Sequence, residues 1–386
     1  MVVELQEGRI WIDGCFDFAH HGHAGAMMQA RENGTELYVG VHNDEDILLN
    51  KGPPVMTLDE RMAAVEGCRW CTKAIANAPY VTDPKIMDKY GCKYVVHGDD
   101  ITTDKDGKDC YAEVKEKGRF IVVKRTPNIS TTDLVGRMLI NSTNHHMSII
   151  DSIEWNKYLN GELKDTDSKK NLLSNNNVIR YEKYATSSDA KSPGDFVWVY
   201  TGFNQLHELV KGSKDFHGKS VYYVDGGFDL FNPGHITLLK KIRELAIKNN
   251  NAMVIVGIND DSTVNKIKGK NYPIMNILER SLCVLQSKYV DGIILGAPAV
   301  INDEFISTFT KSTGHSIEKI LHGPTPLPSP SPYEIVQTDK WHSMTVSSIV
   351  DRVVANRAAF EERQRRKGWK SEHEKVLQAQ EEEGQQ

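Results

Sequence analysis

The residues best placed to do chemistry are His20-His21-Gly22-His23, which follow a β-prone run at Ile10–Cys15. Gly22 lets the backbone turn tightly and come close to a ligand. A helix starting there aims its free N–H groups and the positive end of its dipole at whatever lies above the strand, which is a ready-made phosphate site. His20 and His23 stand one turn apart and can donate to phosphoryl oxygens. Capping of the helix start by a histidine is the plain alternative. A zinc site built on His20, His21 and His23 lacks a carboxylate or cysteine partner. A second cluster is Arg125-Thr126 followed by Ser130-Thr131-Thr132-Asp133. Ser130 or Thr131 can cap a helix, but capping does not explain Arg125, whose fork suits an anion held at the same helix start. Lys51 opens the loop KGPPVMTLDER, from which an ammonium can swing over a triphosphate. Arg61 follows at a helix beginning, where a guanidinium suits phosphate oxygens. Its recurrence as Arg280 fits a structural ion pair equally well.

The elements that must carry these groups occur twice. RIWIDGCFDFAHHGHAGAMMQARE at Arg9–Glu32 is echoed by VYYVDGGFDLFNPGHITLLKKIRE at Val221–Glu244, with DGxFD and GH in register. Further pairs keep the same order: Val39-Gly40-Val41 with Val256-Gly257-Ile258, Glu60-Arg61 with Glu279-Arg280, Ala78-Pro79 with Ala297-Pro298, and His97-Gly98 with His322-Gly323. Such ordered self-similarity marks a duplicated domain. In the first half Ile10–Cys15, Leu37–Val41, Tyr94–His97 and Phe120–Val123 read as strands, and Gly22–Asn33, Thr57–Arg69 and Ser130–Ile140 as helices. Alternating β and α predicts two tandem α/β, Rossmann-like parallel-sheet domains with ligand at the carboxyl ends of the strands. The expected division is a catalytic domain over 1–140, a partly disordered linker over 141–219, a second domain over 220–353 and a charged helical tail over 354–386. The polar stretches NLLSNNN and SSDAKSPG set the linker apart. Phe196–Tyr200 and the residues up to Val210 are apolar enough to dock on a domain.

Bulk properties narrow the function class. A chain of 386 residues suits two domains. Its net charge of −5 excludes a generally basic, nucleic-acid-binding surface, so an anionic substrate must be held by a local site. No signal peptide and no membrane-length apolar run is read, and the tail lacks the broad apolar face of a membrane-binding helix. Six cysteines, Cys68 and Cys71 among them as an isolated CxxC, fit reduced thiols of a cytoplasmic protein.

HxGH after DGxFD, Lys-Gly in a loop and RTxxxSTTDL together resemble the cytidylyltransferases of phospholipid synthesis. The tandem arrangement, with KGPPV, APYVT, HGDDI and STTDLVGR, resembles their ethanolamine-phosphate branch over most of Arg9–Arg357. The resemblance implies that CTP and phosphoethanolamine give CDP-ethanolamine and pyrophosphate, with magnesium accompanying CTP; no magnesium-ligand cluster is legible. It implies catalytic roles for His20, His23, Lys51 and Arg125. Asp13, Gly14, Phe16, Gly22, Arg61, Thr126, Ser130 and Thr131 would bind nucleotide. Asn128 stands where the family usually has glycine, a replacement tolerated in the left-handed region. Asp17, Tyr80 and Tyr111 are candidates for a carboxylate and aromatic cage around the ammonium. The second half departs from the signature. Asn232 replaces the first histidine, Lys340-Trp341 stands where Arg125-Thr126 would be, and His322-Gly323-Pro324-Thr325 replaces HGDD. Asp225, His235 and His322 remain compatible with a nucleotide, so a scaffold or auxiliary nucleotide site is expected there. The alternatives are a choline-phosphate cytidylyltransferase, which two halves and a mixed-charge tail disfavour, and a non-catalytic nucleotide sensor, which the intact first-half constellation disfavours. An adenylyltransferase or class I synthetase would bring a KMSKS-like loop or a tRNA-binding domain, and neither is read.

Overall fold

The computed structural model describes all residues except 1–3, 128, 149, 164–168, 203–204, 215–216, 325–332, 339, 367 and 369–386. Asn128, Thr325 and the end of the expected tail lie outside the described residues. The chain divides into two compact units, residues 1–139 with 347–386, and residues 140–346.

The first unit is built on β1 (Gln6–Gly14), α1 (His21–Glu32), β2 (Glu36–His42), α2 (Asp44–Lys51), α3 (Leu58–Gly67), β3 (Lys73–Ala78), α4 (Pro84–Lys89), β4 (Cys92–Gly98), α5 (Ala112–Glu116), β5 (Phe120–Val123) and α6 (Thr131–Leu139). The strands form one parallel sheet in the order β3-β2-β1-β4-β5. From β1 the chain winds one way through β2 and β3, then returns to β4 on the other side. The reversal opens a crevice at the carboxyl ends of β1 and β4, where such sheets take ligands. Ile10, Trp11, Leu37, Val39, Val41 and Val95 are fully buried, as continuous apolar runs covered on both faces must be. Thr57 and Glu60 close a capping box at α3, which fixes where the Lys51 loop ends.

The second unit contains α7 (Ser152–Leu159), α8 (Asn175–Tyr184), β6 (Phe196–Gly202), β7 (Gln205–Val210), β8 (Val221–Gly226), α9 (Pro233–Lys248), β9 (Met253–Ile258), α10 (Asp261–Lys268), α11 (Ile277–Leu285), β10 (Gly292–Leu295), α12 (Asp303–Thr313), β11 (Ile317–His322) and β12 (Glu334–Ile335). Its sheet runs β12-β11-β8-β9-β10-β6-β7. The first five strands repeat the order of the first unit, so the duplication read in the sequence is a duplication of topology.

Two expected boundaries are corrected. Most of the segment taken as a linker is part of the second unit. β6 pairs parallel with β10, and β7 closes an antiparallel edge hairpin. The Tyr181 hydroxyl of α8 bonds Ser281 Oγ at 2.8 Å in the interior. The continuous apolar run at the start of FVWVYTG is buried on both faces, with Val197, Trp198 and Val199 all in the interior, and this outweighs the polar stretches on either side. The described part of the tail is not a separate element either. α13 (Val346–Ala355) and the helical residues 357–366 pack on the first unit, and Phe360 is 2% exposed. No helix among the described residues is long and apolar enough to cross a membrane.

Candidate active site

The turn between β1 and α1 is strained. Phe16, Phe18 and Ala19 all have positive φ, at 52°, 66° and 41°, a region that costs a non-glycine residue roughly 1–2 kcal/mol. The strain sets α1 with its first turn directed into a cavity of about 530 Å³ at the end of the sheet. Gly22 has no alternative there, because a β-carbon would lie 2.8 Å from Ile129 Cγ2 and 2.9 Å from the His20 ring. His20, His23, Lys51, Arg125, Ser130 and Thr131 line this one cavity. Asp13, Gly14, Phe16, Gly22 and Thr126 do so too. Groups separated by more than a hundred residues in sequence therefore converge.

His20 is both a cap and a cavity group. Its Nδ1 accepts the Gly22 N–H at 3.1 Å, so the proton of the neutral ring resides on Nε2, which becomes a donor. The His23 ring stacks on it with centroids 3.9 Å apart. Burial, reinforced by Lys51 and Arg125, lowers the His23 pKa to about 3, so both members of the stack can be neutral donors without mutual repulsion. The His23 Nδ1 is buried with no hydrogen-bond partner among the described residues. Such an orphaned atom costs about 1–3 kcal/mol unless a ligand satisfies it.

Across the cavity Ser130 Oγ accepts the Asp133 N–H at 3.1 Å and caps α6, while the Thr131 hydroxyl donates to the Asp17 carbonyl at 3.2 Å. The hydroxyls thus order the α6 start. The cation beside it is Arg125, half exposed and paired with Asp100 at 2.9 Å. Lys51 ends α2, with its Nζ 5.7 Å from the centre of the Tyr80 ring. Lys51, Arg125 and two helix N-termini make a strongly anion-attracting pocket in a chain whose net charge is negative.

Four expected residues have other duties. Arg61 does not line the cavity. Its guanidinium is fully buried and donates to Met56 O, Cys15 O and Asp44 Oδ1 at 3.1, 2.8 and 2.6 Å, pinning the turn and the Lys51 loop. Arg280 repeats this on Met275 O and Asp261 Oδ1, so the structural ion pair is the reading that the geometry takes. The Asp17 carboxylate lines the cavity but accepts the amides of Val55 and Met56 at 3.0 and 2.9 Å. Tyr111 donates its hydroxyl to Asp13 Oδ1 at 2.7 Å, and Tyr80 is buried against His42. Neither tyrosine lines the cavity, and no ammonium cage is assembled from these three. Sequence reasoning missed His97, which lines the cavity beside the Tyr111 ring. The repeat carried the signal, since it pairs His97 with His322.

The second unit has a cavity of about 410 Å³ at the equivalent place, lined by Asp225, His235, Lys268 and His322. The carbonyl oxygens of Trp341 and Met344 lie 3.1 Å from where a Gly234 β-carbon would be, which sets negative dipoles against the α9 N-terminus. Asn232 caps α9 through Oδ1 at 2.9 Å, and His235 Nδ1 accepts the Asn232 N–H. Burial pushes Asp225 up to about 7, against a hydrogen bond from Tyr333.

Known proteins place this architecture. The cytidylyltransferase-like family matches twice, at residues 11–137 and 223–371. The chain is 37% identical to the ethanolamine-phosphate cytidylyltransferase of Mus musculus, covering 93% of this chain and 89% of the relative. It is 38% identical to that of Saccharomyces cerevisiae, covering 95% and 99%. Choline-phosphate cytidylyltransferase A of Rattus norvegicus is 38% identical over only 34% of this chain and 36% of its own. A match along the whole length, both halves included, separates the first two relatives from the third: the chain belongs to the cytidylyltransferase-like family, in its ethanolamine-phosphate cytidylyltransferase branch.

Proposed function

We propose that the first unit transfers the cytidylyl group of CTP to phosphoethanolamine, giving CDP-ethanolamine and pyrophosphate. The observation that supports this most directly is the convergence of His20, His23, Lys51 and Arg125 with the starts of α1 and α6 on one cavity. The attacking oxygen belongs to a phosphomonoester with a second pKa near 6, already largely ionised at pH 7. It forms a bond to the α-phosphorus of CTP while the bond to the bridging oxygen of the β-phosphate breaks, and pyrophosphate carries away the charge. The task is therefore to bring two anions into line and to stabilise charge on the leaving oxygens. His20 Nε2–H and the neutral His23 ring supply preorganised donors at the α1 start. Lys51 and Arg125 supply the opposing charge.

Magnesium is assigned to the triphosphate itself. Among the described residues no three histidine, cysteine or carboxylate side chains converge as a metal site. The Asp13 carboxylate already accepts from Trp11 Nε1, the Thr82 hydroxyl and the Tyr111 hydroxyl at 2.7–2.8 Å.

The second unit lacks a counterpart of His20, carries carbonyl oxygens over its helix start and sets Lys340 against the Trp341 ring. We assign it a scaffold or auxiliary binding role without turnover. Pyrophosphate release from CTP, measured with ethanolamine phosphate, choline phosphate and glycerol phosphate in parallel, tests the activity. Release with ethanolamine phosphate in large excess over the others is expected, and equal rates with choline phosphate would overturn the substrate.

A further inference from the structure

Residues 347–366 return to the first unit and reach its cavity. Three anchors dock it there. Arg352 holds the buried Glu60 carboxylate through two nitrogens at 2.7 and 2.9 Å, Phe360 is buried, and Gln364 Nε2 donates to Thr132 O at 3.3 Å. These contacts bring Arg363 onto the cavity lining. Its NH1 donates to Pro53 O at 2.6 Å and lies 3.4 Å from Asp17 Oδ2. The same Asp17 carboxylate holds the amides of Val55 and Met56. Gly52, with φ of 95°, packs against the Arg363 stem, whose Cβ is 3.2 Å from the place a Gly52 β-carbon would take. Residues 52–56 are thus gripped from one side by Asp17 and from the other by Arg363, directly after Lys51.

Lys51, the last residue of α2 before this loop, is a compact charge on a flexible stem. Its value as a phosphate ligand depends on how much freedom it loses when the triphosphate binds. A guanidinium, with five donors in a fixed fork, can hold a carbonyl and a carboxylate at once and restrain such a loop beforehand. We propose that Arg363 is a positioning residue for the cytidylyl transfer: it clamps the loop after Lys51 so that the ammonium is preset over the cavity. The C-terminal segment is then an integral part of the first unit's triphosphate site. This rests on the activity proposed above. Arg366, also at the rim, pairs with Glu362 at 3.0 Å instead.

The test uses the full chain with Arg363→Ala, Arg363→Lys, Lys51→Ala and the Lys51→Ala/Arg363→Ala double variant, each assayed for KM(CTP), kcat and melting. Arg363→Ala is expected to raise KM(CTP) roughly tenfold, the scale of losing a charge-assisted hydrogen bond, and Arg363→Lys to recover at least about threefold of that. In the Lys51→Ala background, removing Arg363 is expected to change KM(CTP) less than about twofold, because both act through one ammonium. An unchanged KM(CTP), a gain in activity, or an Arg363→Ala effect undiminished on top of Lys51→Ala would overturn the clamp; the last result would make Arg363 a direct ligand. Hydrogen exchange at the Val55 and Met56 amides, followed without substrate, reads the clamp even if a variant is too unstable to assay. Faster exchange in Arg363→Ala than in wild type supports it, and equal exchange removes it. Wild-type protein that makes no CDP-ethanolamine would instead refute the activity, while the exchange result would still decide the clamp.

Discussion

The proposed mechanism gives His20 two roles on two nitrogens, and the duplicated half supplies the control that separates them. Nδ1 accepts the Gly22 N–H, as Asn232 Oδ1 accepts the Gly234 N–H in the second unit. Asn232 also turns its amide group back onto Leu230 O at 2.9 Å. An asparagine at position 20 is therefore expected to cap α1 while offering nothing to the cavity. His20→Ala loses the cap, at about 1 kcal/mol, which for a unit of this size lowers melting by roughly 2–4 °C. His20→Asn should melt within about 1 °C of wild type. Turnover should fall on the order of 10²–10³-fold in both, the scale for losing one preorganised donor to a developing anion. The assays are calorimetric melting of the full chain and initial-rate pyrophosphate release at saturating CTP and phosphoethanolamine. If His20→Asn keeps turnover within threefold of wild type, the imidazole is a cap and nothing more, and the donor role argued here is refuted.

The remaining predictions follow from the same geometry. His23, lowered to about 3, stays neutral across the working range. Activity at low phosphoethanolamine should therefore rise through about pH 6 as the phosphomonoester ionises and stay level to pH 8; a fall between pH 6 and 7 would mean that an imidazolium is needed. His23 and His235 are both held near 3 by burial, so unfolded chains bind more protons than folded ones between about 3 and 6.5. The stability due to their neutral burial is complete above about pH 6.5 and is lost as pH falls toward 3, which denaturant melts across that window would reveal. Arg61→Ala removes a buried guanidinium paired with Asp44 and two carbonyls, and should destabilise the first unit by about 3 kcal/mol. A rise in KM(CTP) at unchanged stability would instead make Arg61 a phosphate ligand. His235→Ala weakens a capping box and should lower melting of the second unit while turnover stays within about threefold; collapse of turnover in a folded variant would contradict the division of labour.

The duplicated α/β architecture and the convergence on one cavity were legible because they rest on local signals. Gly22 admits no side chain, α1 begins where the strand ends, and each motif recurs in order. Arg61 was misread because a guanidinium suits a phosphate and a carbonyl cluster equally, and only burial distinguishes them. Its twin Arg280, embedded in the same bonds, was the clue in hand. Asp17, Tyr80 and Tyr111 have the right chemistry for an ammonium cage, but their functional atoms are directed at loop amides, at the interior and at Asp13. Sequence pattern does not report side-chain direction. Arg363 was out of reach for a different reason. It lies more than 300 residues from Pro53, in a mixed-charge helix whose face toward the first unit carries few apolar residues, so no periodicity marked where it would dock. The strands at 196–210 were hidden by polar neighbours, although the apolar run Phe196–Tyr200 was in view.

The return of residues 347–366 to the first unit also bears on how the chain is made. A ribosome that has finished β1 through α6 must still translate roughly two hundred residues before Glu60 can meet Arg352, a delay of about 10–40 s at ordinary elongation rates. Through that interval the nascent first half lacks its last helical layer and the arginine over its pocket. Chains that stop short of these residues would lack the contacts of Arg352, Phe360 and Arg363 with the first unit.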